Sequence, residues 1–163
     1  MAAPQLPPER IALIRRGVSV IVGSCDAALR PSVMRAVGSL VSDDGRDITV
    51  FLARRQSRQL IQDLAATGRI AVVFSEPATH STLQLKASRC ELRNATAGDQ
   101  PALANYLASM ETEIERIGYP RELTRAMLAH KLDDLVAVRF TPEQAFDQTP
   151  GPRAGTPLGG ASP

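Results

Sequence analysis

Three arginines surround one serine in the stretch Arg54-Arg55-Gln56-Ser57-Arg58. Ser57 is suited to open a helix, its hydroxyl accepting from a backbone N–H of the first turn. Leu60, Ile61, Leu64 and Ala65 then fall on one helical face, and Gly68 stands where a helix end favours a left-handed residue. The charges oppose a purely structural reading. Cations at the positive end of a helix dipole are disfavoured by roughly 0.3–1 kcal/mol each at exposed sites. An anion at that helix start removes the conflict, because free N–H groups and guanidiniums then share one target. Phosphate is the anion these residue types suit. Three solvated arginines on a loop are the structural alternative.

A second irregularity lies upstream, in the alternating run Ser32–Val41. Arg35 is an unusual occupant of an apolar strand and is either an edge residue facing water or a buried cation with a partner. Gly38 inside the same run suggests a bulge, or the close approach of something flat to the backbone. Other chemistry is sparse. Neither a P-loop nor a dinucleotide glycine fingerprint is present. His80 and His130 have no cysteine or carboxylate cluster beside them, so no metal site is expected. Cys25 and Cys90 are far apart and read as reduced thiols. Asp133-Asp134 reads as a solvated loop, and no side chain is assigned a catalytic role.

Composition narrows the partners. A net charge of +2 is too small to argue for nucleic acid, and with no tryptophan and 4% aromatic residues a base-stacking platform is not expected. No apolar run is long enough to span a bilayer. The N-terminus lacks a signal-peptide pattern, and the compartment reads as cytoplasm.

The elements that must position Ser57 and its arginines follow from periodicity. A proline-rich arm over 1–8 leads into a short helix carrying Ile11, Leu13 and Ile14 and ending at Gly17. Val18–Val22 is a β-branched run. Ser42-Asp43-Asp44-Gly45 is a turn signal, so Ser32–Val41 and Ile48–Ala53 are expected to pair antiparallel. The helix from Ser57 and a strand over Arg69–Phe74 follow. Thr82–Arg93 reads as one long strand, with Leu83, Leu85 and Ala87 opposite a polar face of Thr82, Gln84, Lys86 and Ser88. A helix over Gln100–Ile117 buries Leu103, Tyr106, Leu107, Met110, Ile114 and Ile117 and turns Glu111, Glu113 and Glu115 to solvent. Arg121–His130 is a second short helix and Leu135–Phe140 the last strand. The tail from Thr149 is too rich in proline and glycine to fold alone and is disordered or draped over a surface. The pattern predicts one α+β domain over 1–148, a small antiparallel split β-barrel with flanking helices, followed by a Pro/Gly-rich tail over 149–163.

With these elements in order, the sequence resembles the pyridoxamine 5′-phosphate oxidase-like FMN-binding split-barrel family. The resemblance rests on Arg30-Pro31-Ser32-Val33-Met34-Arg35, similar to a family strand of the type R-P-x-x-x-R. It continues through Phe51–Arg58, where members carry S-R-K, through Arg69–Phe74, similar to R-V-A-L-x-F, and through Leu83–Ala87. It covers about residues 10–95 and implies a homodimer with FMN at the subunit interface and a flavin-dependent oxidoreductase of unknown small-molecule substrate. It implies that Ser57 and Arg58 bind the flavin phosphate, with Arg35 as a further basic contact and Arg54 or Arg55 supplying the cation that the family's lysine gives. The backbone of Met34, Arg35, Ala36 and Val37 would run along the ring and Leu52 and Ala53 beside the ribityl chain, while Thr82 and Gln84 would come from the partner. A non-catalytic flavin-binding or ligand-sensing module, or the same fold with a deazaflavin or haem, is the alternative. Gln59 replaces the usual lysine of S-R-K, and Ala87 or Ser88 replaces a common glycine. The C-terminal arginine and histidine that hold pyridoxal phosphate in the true oxidase are missing.

Overall fold

The computed structural model describes Pro4 and residues 6–159. Pro8, its φ already helical, opens α1 (Pro8–Arg16), and Gly17 ends it at a φ of 75°. Chain then runs through β1 (Ser19–Cys25) and β2 (Pro31–Arg35), joined by a turn in which the Asp26 carboxylate accepts from the N–H groups of Ala28 and Arg30. After β3 (Gly38–Val41) and β4 (Ile48–Ala53) come α2 (Arg58–Thr67), β5 (Ile70–Ser75), β6 (Thr82–Ala87) and β7 (Glu91–Asn94). The second half holds α3 (Gln100–Arg116), α4 (Arg121–Met127), β8 (Leu135–Phe140), β9 (Gln144–Asp147) and β10 (Thr156–Pro157). All strand pairs are antiparallel, in a six-stranded sheet ordered β10-β9-β6-β5-β1-β2 and a four-stranded sheet ordered β3-β4-β8-β7. The α+β expectation holds. The strands form two sheets with open ends rather than one closed cylinder.

The main core lies between the sheets and the helices, filled by Val20, Val22, Val72, Phe74, Leu83 and Leu85 from one sheet and Val50, Leu52, Val136 and Val138 from the other. Ile14, Leu60, Leu64 and Met110 add the apolar faces of α1, α2 and α3. Tyr106 donates its hydroxyl to Val18 C=O at 2.7 Å, and burial pushes its phenol well above the usual range, so it serves as a neutral anchor.

Several expected elements differ, each for a local reason. The run Ser32–Val41 is not one strand. Ala36 N–H still bonds to Val20 C=O, whereas Val37 N–H bonds to Phe51 C=O at 2.8 Å, so the chain changes sheets between these residues. Only Gly38–Val41 pairs with β4. Close approach to Gly38 comes from inside the chain, since a Cβ there would lie 2.7 Å from Leu103 Cδ2. Thr82–Arg93 likewise splits into β6 and β7 in different sheets, turning at Ser88–Cys90. Leu135–Phe140 is not the last strand, because β9 pairs with β6 and β10 with β9. The tail is draped: Thr82 N–H donates to Thr149 Oγ1, Gly155 N–H to Asp147 C=O and Leu158 N–H to Ala145 C=O. Its last residues, 160–163, lie outside the described residues, as do 1–3 and 5 of the N-terminal arm. Leu6 of that arm packs into the core.

The acidic face of α3 is not all solvated. Glu111 and Glu113 are buried, because α4 folds back beside α3 and the end of α1 meets it. Glu111 takes Arg125 at 2.6 Å, and Glu113 takes Arg116 at 3.2 Å with Arg16 at 3.9 Å. Glu115 alone of the three stays exposed, paired with Arg121. Ile117, expected in the apolar stripe, caps the helix and is exposed.

Candidate cofactor-binding site

Strand β4 ends at Ala53 with four residues between it and the start of α2, and this tight passage presents the helix start. Ser57 stands at the N-cap, yet its hydroxyl caps nothing. The residue is 2% exposed and, among the described residues, its Oγ has no hydrogen-bond partner, an unusual state for a buried hydroxyl. Among the described residues, the N–H groups of Arg58, Gln59 and Leu60 also meet no acceptor, while Ile61 N–H is the first to bond, to Ser57 C=O at 2.9 Å. The first turn thus keeps its donors unspent.

Its three arginines separate in role. Arg54 donates through Nη2 to Asn94 Oδ1 at 2.7 Å, and its N–H bonds to Asp134 C=O at 2.7 Å. Arg55 stands 3.6 Å from Asp134 Oδ1. Arg58 is exposed and, among the described residues, pairs with no carboxylate. Among the described residues, a guanidinium without a carboxylate partner, N–H groups without acceptors and an orphaned hydroxyl therefore all belong to the start of one ten-residue helix. That donor set fits a phosphate monoester.

Helix α2 is held against edge strand β2 by a contact the sequence reading missed. Ser32 Oγ donates to Asp63 Oδ2 at 2.5 Å, and Gln59 Nε2 to Asp63 Oδ1 at 2.9 Å. Gln59 and Asp63 are four apart on a helix, which is the signal that was there to read. Met34 turns toward the core with Ser32, so alternation along β2 sends Val33 and Arg35 to the other, outer face of the six-stranded sheet. There Arg35 Nη1 donates to Ser19 Oγ at 2.9 Å. Because β2 is the outermost strand and Ala36 N–H points to β1, the backbone groups of Val33 and Arg35 face outward without a strand partner.

Register places Thr82 and Gln84 on that same outer face, in successive rows with Ser75 and Val73. Thr82 Oγ1 donates to His80 C=O at 2.8 Å, and Gln84 Oε1 accepts from Gln148 Nε2 at 3.1 Å. Ala36, Val37, Leu52 and Ala53 are buried where the chain changes sheets, directly behind the passage to α2. Ser57, Arg58 and Ala53 thus form one corner, whereas Arg35 and Gln84 share one row on the sheet's outer face and Thr82 lies in the next. Among the described residues no cluster of three or more histidines, cysteines or acids could hold a metal. Burial pushes the Cys90 thiol up to about 11, far from thiolate reactivity.

No protein-family model matches the chain, and none of the curated proteins matches it in sequence. Solved structures do match. An FMN-binding protein related to pyridoxamine 5′-phosphate oxidase from Nostoc punctiforme is 13% identical, with a TM-score of 0.51 over 91% of this chain and 88% of that one. The fold is the pyridoxamine 5′-phosphate oxidase-like fold. An F420 reductase shares it at 14% identity and a TM-score of 0.54, covering 86% of this chain and 98% of the other. So does HutZ, the haem storage protein of Vibrio cholerae, at 17% identity and a TM-score of 0.52, over 88% and 94%. Neighbours that share this fold thus include an FMN-binding protein, an F420 reductase and a haem storage protein. Among the described residues, no helix is long and apolar enough to cross a membrane.

Proposed function

We propose that this protein binds FMN and acts as a flavin-dependent oxidoreductase on a small molecule, as a split-barrel homodimer with the cofactor between two copies. The observation that carries the reading is the unfinished start of α2, where a buried hydroxyl, free N–H groups and unpaired Arg58 await a doubly charged group. Ser57 and Arg58 hold the phosphate, and Arg54, already braced by Asn94, adds a nearby positive charge. The outward backbone of Val33 and Arg35 offers hydrogen bonds to a polar ring edge, while Leu52 and Ala53 back the ribityl chain. Arg35, Thr82 and Gln84 on the outer sheet face of one copy approach the cofactor held by the other. When bound, FMN supplies the electron transfer, and the chain supplies orientation and exclusion of water.

Titration of FMN into the protein tests this reading. Quenched flavin fluorescence with a saturable endpoint near one FMN per chain, from a species sedimenting as a dimer, is the expected result. Bleaching by NAD(P)H under anaerobic conditions is expected of the oxidoreductase, and bound flavin that no donor reduces points to a binding module. The F420 reductase and HutZ neighbours support a second reading, the same fold with a deazaflavin or haem in place of FMN. Haem or F420 binding tighter than FMN favours it.

A further inference from the structure

The outer face of the six-stranded sheet carries a groove of about 580 Å³ at the end away from Thr82. We propose that this groove binds a small planar anion, an aromatic carboxylate in class, lying flat over Gly23 and Ala71 with its charge held by Arg69 and Lys86. The groove shares Val33 with the flavin reading, but its floor and its cations are separate from the α2 start, and the inference does not need that reading.

One row of the sheet makes the floor. Val33, Gly23, Ala71 and Lys86 are register partners on β2, β1, β5 and β6, and all face outward. Gly23 contributes no side chain and Ala71 only a methyl, so the middle of the row is flat and apolar. Val33, 64% exposed, forms one wall. A flat ring gains contact on such a floor, while a branched ligand loses it. Floors of this kind normally carry side chains that pack across strands, so a bare one in a central strand is notable.

Charge selects the ligand's sign. Among the described residues neither Arg69 nor Lys86 has a carboxylate partner. Arg69 Nη1 reaches only Cys25 Sγ at 4.0 Å, and Lys86 Nζ lies 5.1 Å from the centroid of the Phe146 ring. Among the described residues the groove's one lining carboxylate, Glu143, accepts from Ser88 at 2.7 Å. Two cations against one acid leave a net positive pocket beside an apolar floor, which suits one negative group on a planar body.

The test uses 2-naphthoate and its neutral counterpart 2-naphthamide, followed by ¹H–¹⁵N spectra of the whole protein. Saturable shifts at Gly23, Ala71 and Lys86 are expected with 2-naphthoate, and about tenfold weaker binding with 2-naphthamide. Gly23→Val fills the floor without strain, since a Cβ there meets nothing closer than Ser32 C=O at 3.7 Å. It is expected to weaken 2-naphthoate by at least about tenfold while leaving the oligomeric state unchanged. Lys86→Gln and Arg69→Gln should each weaken it roughly three- to tenfold. Absent or unsaturable shifts, shifts centred elsewhere, equal affinity for both probes, or undiminished binding by Gly23→Val overturns the proposal. So does a changed oligomeric state in Gly23→Val, which would make the groove a contact between copies.

Discussion

Ser32 of the edge strand β2 donates its hydroxyl to the buried Asp63 carboxylate of α2 at 2.5 Å. This bond fixes the helix that presents the proposed phosphate corner to the strand proposed to flank the ring. Asp63→Ala removes the acceptor of both Ser32 and Gln59 and leaves two donors unpaired. The expected loss is about 2–3 kcal/mol of unfolding free energy, read from urea denaturation. Ser32→Ala should cost about 1 kcal/mol.

Ser57 inverts the usual capping rule. Replacing an N-cap serine by alanine normally costs about 1 kcal/mol, because a hydrogen bond to the first turn is lost. Here the hydroxyl makes no bond. Ser57→Ala should therefore leave the unliganded protein as stable or slightly more so in thermal unfolding, while FMN binding weakens several-fold.

Gly38 lies under Leu103 Cδ2 at a virtual Cβ distance of 2.7 Å, with Phe51 Cδ2 at 3.3 Å. Gly38→Ala overpacks this small core and should cost about 1 kcal/mol, and Gly38→Val about 2–3 kcal/mol. Pairing Gly38→Ala with Leu103→Ala should cost less than the sum of the two single changes, because the cavity accepts the new methyl. Additive losses in chemical denaturation would place the strain elsewhere.

Asp99 holds the entry to α3. It accepts from both Nη1 and Nη2 of Arg93 at 2.7 Å and from Thr96 N–H at 2.8 Å. The Arg93 hydrogen bonds, with that of Thr96, keep its carboxyl below the usual range. A carboxyl whose pKa is lower folded than unfolded stabilises above the unfolded value and loses that stabilisation as pH falls through the folded one. Asp99→Asn should thus cost about 1–2 kcal/mol at neutral pH, discounted for the half-exposed Arg93, and the deficit should shrink below about pH 4. A deficit constant with pH would contradict the assignment.

Periodicity carried the helices and the apolar faces of the strands well, because burial of Leu60, Leu64, Leu83 and Leu85 depends on spacing alone. It failed where the chain passes between sheets. Alternation continues unbroken through Ala36-Val37, and only the switch of hydrogen-bond partner from Val20 to Phe51 marks the corner. Glu111 and Glu113 were illegible for a related reason. A carboxylate buried against Arg16, Arg116 or Arg125 has the same spacing as a solvated one, and the covering elements are distant in sequence or in a later helix. Charge crowding pointed to the start of α2, but only the structure separates Arg54 and Arg55, engaged by Asn94 and Asp134, from unpaired Arg58.

The flavin reading rests on a phosphate at the start of α2, and a paired titration tests it most directly. FMN and riboflavin differ only in that phosphate, so each is titrated into the wild-type protein and into Arg58→Ala by flavin fluorescence. The account predicts that Arg58→Ala weakens FMN by about ten- to a hundredfold, the loss of one charge-assisted contact, while riboflavin affinity changes less than about threefold. Equal losses for both ligands, or FMN binding untouched by the substitution, would contradict it.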